Sequence, residues 1–134
     1  MLQKLTKNRG GFTLVEIMIV VAIIALLAAI AVPNFLRARK RSQATRILED
    51  LRIIDSALDQ YAIENNKSGG ATARWTDLQN YLKNGSVLYN SNGTDLLSNA
   101  YSGYTVDSIP KLSSTTFNKL SDVAPSDFWS PFYP

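Results

Sequence analysis

The sequence predicts an α+β chain. One long N-terminal α-helix, membrane-spanning in its first half and amphipathic in its second, precedes a small globular domain with a short helix and a small antiparallel sheet. Three observations predict it. Residues 12–32 form an almost unbroken apolar run. Residues 44–65 then change to a helical stripe with a polar back. The remaining half is polar, turn-rich and dotted with aromatics.

The apolar run reads FTLVEIMIVVAIIALLAAIAV, interrupted only by Thr13 and Glu16. A helix of about 20 such residues spans roughly 30 Å, the thickness of a bilayer core. A soluble surface helix would carry a polar stripe, whereas this one is apolar all round. A secretory signal peptide has a shorter apolar region ending in a small-residue cut. Here the run continues into Pro33-Asn34-Phe35 and a basic stretch. A plain anchor explains the length but not Glu16. A carboxylate inside a membrane costs several kcal/mol unless it is paired, about 3 kcal/mol even on the mildest scale.

The paired cation is suggested four residues earlier. Between Gly11 and Phe12 the chain turns from basic and polar to apolar. Cutting that peptide bond would create an α-amino group on Phe12, with Glu16 the nearest anion in sequence. The two could meet within one helix at i, i+4 or between neighbouring chains. Gly10-Gly11-Phe12-Thr13-Leu14-Val15-Glu16 resembles the prepilin-type cleavage and methylation motif of type IV pilins and type II secretion pseudopilins. The resemblance is strongest over residues 4–36. It implies that a membrane peptidase cuts after Gly11 and methylates Phe12. It also implies that Glu16 pairs with a neighbour's terminal amine during assembly. Lys4, Lys7 and Arg9 match the family's short basic leader.

The implied organisation is a cleaved leader (1–11), a transmembrane and assembly helix (12–36), the amphipathic half of the same helix (37–66) and a head domain (67–134). Counting charges alone would put Arg37, Arg39, Lys40 and Arg41 in the cytoplasm. The resemblance implies the opposite: a cytoplasmic N-terminus, a single pass through the bacterial inner membrane, and a periplasmic or surface filament after assembly. The partners it implies are further copies, related minor pilins, the prepilin peptidase and an inner-membrane assembly platform.

Pro33 removes one helix hydrogen bond. The resemblance places it inside a continuing helix, so a kink is expected there. Beyond it Ile47, Leu48, Leu51, Ile54, Leu58 and Tyr61 recur at steps of three and four, with Glu49, Asp50, Arg52, Asp55 and Asp59 assigned to the opposite face. Lys67-Ser68-Gly69-Gly70 supplies a glycine stop. A helix running to about Asn66 would be roughly 80 Å long. Thr76-Asp77-Leu78-Gln79 reads as a capping box before a short helix closed by Gly85. Residues 101–109 are the best strand candidate, ended by Pro110. Residues 115–123 suit a helical turn with Phe117, Leu120 and Val123 inward. The aromatic tail 127–134 should pack on the domain.

Several function classes recede. Cysteine and histidine are absent, which removes disulfides, thiolate sites and the commonest general base. The net charge of +3 resides in the leader, because removing Lys4, Lys7 and Arg9 leaves eleven basic and eleven acidic residues. Nucleic acid is therefore not an expected partner. Asn90, Asn92 and Asp95 offer oxygens that suit calcium, but with one charge among them an Asx turn accounts for the pattern. No cofactor or metal is expected, and no catalytic constellation stands out. The leading reading is a structural filament subunit. The alternative is a membrane-tethered extracytoplasmic binding module, which would have no use for Glu16.

Overall fold

The computed structural model describes residues 11–134. Lys4, Lys7 and Arg9 of the expected leader, with Gly10, lie outside them. Helix α1 spans Leu14–Glu64, α2 Trp75–Gln79, α3 Val87–Asn90, α4 Ser114–Leu120 and α5 Ser126–Trp129. Two compact units, Met1–Leu36 and Arg37–Pro134, meet within α1.

In the first unit α1 is exposed throughout, as an apolar helix without neighbours must be. Among the described residues it is the one helix long and apolar enough to cross a membrane. Pro33 lies inside it and does not end it.

The second unit is built on the outer part of α1. Ala44, Ile47, Leu48, Leu51, Ile54, Ala57 and Leu58 are buried, the predicted stripe with two alanines added and with Tyr61 only half-buried at its end. Their cover includes Leu78, Leu88, Tyr101, Val106, Leu112, Leu120, Trp129 and Phe132. Trp129 is fully buried and donates through Nε1 to the Ala124 carbonyl at 3.0 Å. The Leu112 N–H donates to the Phe132 carbonyl at 2.9 Å, so the tail packs into the domain as its aromatic content predicts.

Four local expectations need correction. Asp50, assigned to the polar face, is 4% exposed, because it sits three residues after Ile47 and is enclosed with the stripe. The end of α1 is set by Asn66, not by the later glycines. Asn66 is left-handed at φ 49°, and Lys67 N–H reaches the Ala62 carbonyl at 2.9 Å. With Asn66 N–H to Ile63 O at 3.4 Å, this is a Schellman closure. Helix α2 begins two residues before the expected box: Arg74 is its N-cap and the Asp77 carboxylate accepts the Arg74 N–H at 2.9 Å. It also ends at Gln79, and Gly85 instead turns the chain at φ +77° just ahead of α3.

The last correction concerns the sheet. Among the described residues there is no strand. Single antiparallel bridges join Thr72 to Thr105, Thr94 to Ala100 and Ser102 to Lys111. The 101–109 segment cannot extend because Gly103 (φ +82°) and Asp107 (φ 62°) turn it back. Its buried residues, Tyr101 and Val106, are five apart, an odd spacing that no single strand face allows. A side chain at Gly103 would stand 3.0 Å from the Ile109 carbonyl oxygen, so the chain crosses itself closely there.

Candidate functional site

The N-terminus of α1 carries the residues that the sequence singles out. Gly11 and Phe12 are exposed and precede the helix, Phe12 at 84%. Glu16 lies in the first turn. Its Oε2 accepts the Thr13 N–H at 3.3 Å, and Thr13 Oγ1 accepts the Glu16 N–H at 3.2 Å. That reciprocal pair is a capping box, which satisfies two of the four N–H groups that a helix start leaves free. Thr13 was not among the expected site residues. Its signal was in plain view as Thr13-Leu14-Val15-Glu16, a threonine three residues before a glutamate.

Phe12, Glu16, Ile17, Val20 and Val21 share one face and line an open depression of about 430 Å³. Glu16 is the one charged residue in it. A carboxylate at the positive end of a helix and on an apolar face can receive a cation from outside the chain. Its present partner, the Thr13 N–H, is one peptide unit from the Phe12 nitrogen.

Residues 6–32 carry the prokaryotic N-terminal methylation motif. The motif thus covers Gly11, Phe12, Glu16 and the apolar run. The N-terminal part of the chain is also similar to named pilus, fimbrial and secretion-system proteins. It is 47% identical over 60 residues to the type IV wide pilus major component of Thermus thermophilus, covering 45% of this chain and 46% of that protein. It is 33% identical over 61 residues to the type II secretion system core protein G of Aeromonas hydrophila, covering 46% and 43%. It is 39% identical over 66 residues to a type IV major fimbrial protein of Dichelobacter nodosus, covering 49% and 42%. Each match spans less than half of the relative's length. No solved structure matches the chain.

The polar loop of the head domain is organised by Asp95. Asp95 is buried, whereas Asn90 and Asn92 are exposed. Its Oδ1 accepts the N–H groups of Leu97 at 2.8 Å and Asn99 at 3.0 Å, and its Oδ2 accepts the Thr116 hydroxyl. Asn99 Nδ2 in turn donates to Thr116 Oγ1 at 2.9 Å. The carboxylate is thus engaged by the chain itself, as an Asx turn requires. Among the described residues no group of three or more acidic side chains could hold a metal.

Of the basic cluster, Lys40 pairs with Asp122 of the same chain at 3.0 Å. The hydrogen bond from Lys40 holds the Asp122 carboxyl below its ordinary range. Asp50 is turned inward and contacts Arg46 at 3.5 Å.

Proposed function

We propose that the chain is a structural subunit of a type IV pilus-like filament, made as a prepilin. A prepilin peptidase cuts after Gly11 and methylates the new Phe12 terminus. Until assembly, residues 12–36 hold the subunit in the bacterial inner membrane with its N-terminus cytoplasmic and the head outside. Residues 37–66 are read as the outer half of the same helix and residues 67–134 as the head. The apolar helices of many copies then bundle, joined by related minor subunits at an inner-membrane assembly platform.

One observation carries this reading: the methylation motif coincides with the start of the membrane-length helix, where Glu16 is the lone charge on an apolar face. The similarity to pilus components and to secretion core protein G supports a filament of either kind. The absence of cysteine and the small head favour the secretion pseudopilus.

In this reading Glu16 releases its cap in part and accepts the Phe12 amine of a neighbouring subunit. The pair need not add net stability; its use is to fix axial register. Pro33 leaves the Ala29 carbonyl without its helix N–H and gives the helix a place to bend.

The test is the mass of the intact protein extracted from membranes. It should begin at Phe12 and carry one methyl group. A chain that begins at Met1 in a host with an active prepilin peptidase overturns the proposal. Gly11→Leu should leave the precursor uncut, because a bulky residue obstructs entry of the backbone into the peptidase.

A further inference from the structure

Two asparagines of the second unit precede a glycine, in Asn84-Gly85 and Asn92-Gly93. Asparagine is a thermolabile residue type. Its side-chain amide is open to attack by the backbone nitrogen of the next residue, and glycine, without a Cβ, crowds that nitrogen least. The two pairs have similar neighbours, Ser86 after one and Thr94 after the other, so in an unfolded chain they should react alike. The fold treats them differently.

The Asn92-Gly93 pair is locked. Asn92 (φ 55°) and Gly93 (φ +81°) are the central residues of the turn 91–94, with the two positive φ values that a type I′ turn requires. Four hydrogen bonds hold it. The Thr94 N–H and Thr94 Oγ1 donate to the Ser91 carbonyl at 3.2 and 2.7 Å. The Gly93 N–H, the group that would attack, donates to Ser91 Oγ at 3.3 Å, and the Gly93 carbonyl accepts the Tyr101 N–H at 2.9 Å. Gly93 is also buried, and a Cβ on it would stand 3.0 Å from Tyr104 Oη and 3.3 Å from the Trp75 ring.

The Asn84-Gly85 pair has little of that support. Lys83, Asn84 and Gly85 are exposed, and a Cβ on Gly85 would meet nothing within 4 Å. Among the described residues one backbone hydrogen bond closes this turn, from the Ser86 N–H to the Lys83 carbonyl at 3.1 Å, and no acceptor engages the Gly85 N–H. Exposed turns with so few contacts are where a chain opens locally.

We propose that Asn84 is a site of spontaneous deamidation in the folded protein, and that the fold protects Asn92. The Gly85 nitrogen loses its proton to hydroxide and attacks Asn84 Cγ. The new N–Cγ bond closes a cyclic imide. The Cγ–Nδ2 bond breaks, and Nδ2 leaves as ammonia with a proton from water, which restores the hydroxide. Water then opens the imide at either carbonyl and leaves aspartate or isoaspartate. Both products place a carboxylate at position 84. The isoaspartate also carries the Asn84 Cβ into the main chain of the turn, just before Ser86, whose Oγ caps α3 by accepting the Tyr89 N–H at 3.1 Å. The proposal is independent of the filament reading.

The full chain, held in detergent micelles at mildly alkaline pH and digested at intervals, tests it by tandem mass spectrometry. Asn84 should convert roughly a hundredfold faster than Asn92, the factor that three more hydrogen bonds of ordinary net strength place on local opening. Its rate should rise with pH, because the attacking nitrogen must lose a proton. Gly85→Ala should slow it, since a Cβ crowds that nitrogen. In concentrated urea, where the turn 91–94 is gone, the two sites should convert at similar rates. Asn84 unconverted in the native chain, or converting no faster than Asn92, overturns the proposal. An Asn92 that stays slow in urea also overturns it, because its protection would then lie in the local sequence and not in the fold.

Discussion

Glu16 serves two partners in this account, and they can be separated by substitution. In the described chain it closes the first turn of α1 with Thr13. In the proposed filament it receives a neighbour's amine. Glu16→Ala removes both. The lost cap is worth about 1 kcal/mol, a local effect on a 51-residue helix. The uncompensated buried ammonium costs about 3–5 kcal/mol at each subunit addition. Filaments should therefore vanish while subunit abundance in the inner membrane is kept, or rises because an intramembrane charge is gone. Thr13→Val removes the hydroxyl cap and keeps the carboxylate, so filaments should persist. Filament yield by electron microscopy, at matched abundance, checks both. Equal loss in the two variants would make capping the role of Glu16; no loss in Glu16→Ala would favour the tethered module. The roles proposed for Gly11, Phe12 and Glu16 rest on a short string with fixed spacing, which needs no tertiary structure to be read. The Thr13 cap is equally local, a threonine three residues before a glutamate, but in the sequence it stands only as a polar interruption of the apolar run.

At the scale of elements, what repeats was legible and what depends on single dihedrals was not. The stripe on α1 recurs over four turns, so its period identifies the buried face, and Leu51 falls at its centre with no exposure. Leu51→Ala should cost about 2–5 kcal/mol by chemical denaturation. Ile53→Ala, two residues away and 46% exposed, should stay within about 0.5 kcal/mol. Helices of four or five residues such as α2, α3 and α5 are too short to show a period, and their starts rest on one capping contact each. The expected strand failed for the same reason: positive φ at Gly103 and Asp107 outweighs a loose alternation. The stop of α1 shows how such detail can be tested. Asn66 holds the left-handed position of the Schellman closure. Asn66→Ala should cost about 1–2 kcal/mol, the penalty of a Cβ in that conformation. Asn66→Gly should be neutral or slightly stabilising in the same denaturation experiment. A reversed order would mean that the glycines at 69 and 70 set the end after all.

At the scale of the molecule, the contrast lies between a unit that buries nothing of its own and one that closes its own core. Residues 12–36 expose every apolar side chain, which is tenable only in lipid or among other helices. In Arg37–Pro134, by contrast, the stripe of α1 is covered by residues of the same unit, from Leu78 to Phe132. Trp129 is anchored to the Ala124 carbonyl, and Lys40 is tied to Asp122 near the start of the unit. That ion pair is about half exposed and adds little, so the apolar core must carry the stability. A chain begun at Arg37 should accordingly be soluble, monomeric and folded. Size-exclusion chromatography should give the mass of one copy, and near-ultraviolet circular dichroism should show a cooperative melt from the packed Trp75 and Trp129. The first turns of the shortened helix should fray, because residues 37–43 bury little and lose the helix that preceded them. The melt should be unaffected, since the first fully buried position is Ala44. An unfolded or aggregated product would show that the stripe needs neighbouring subunits for its cover. The core described for one chain would then be completed only in the assembled filament.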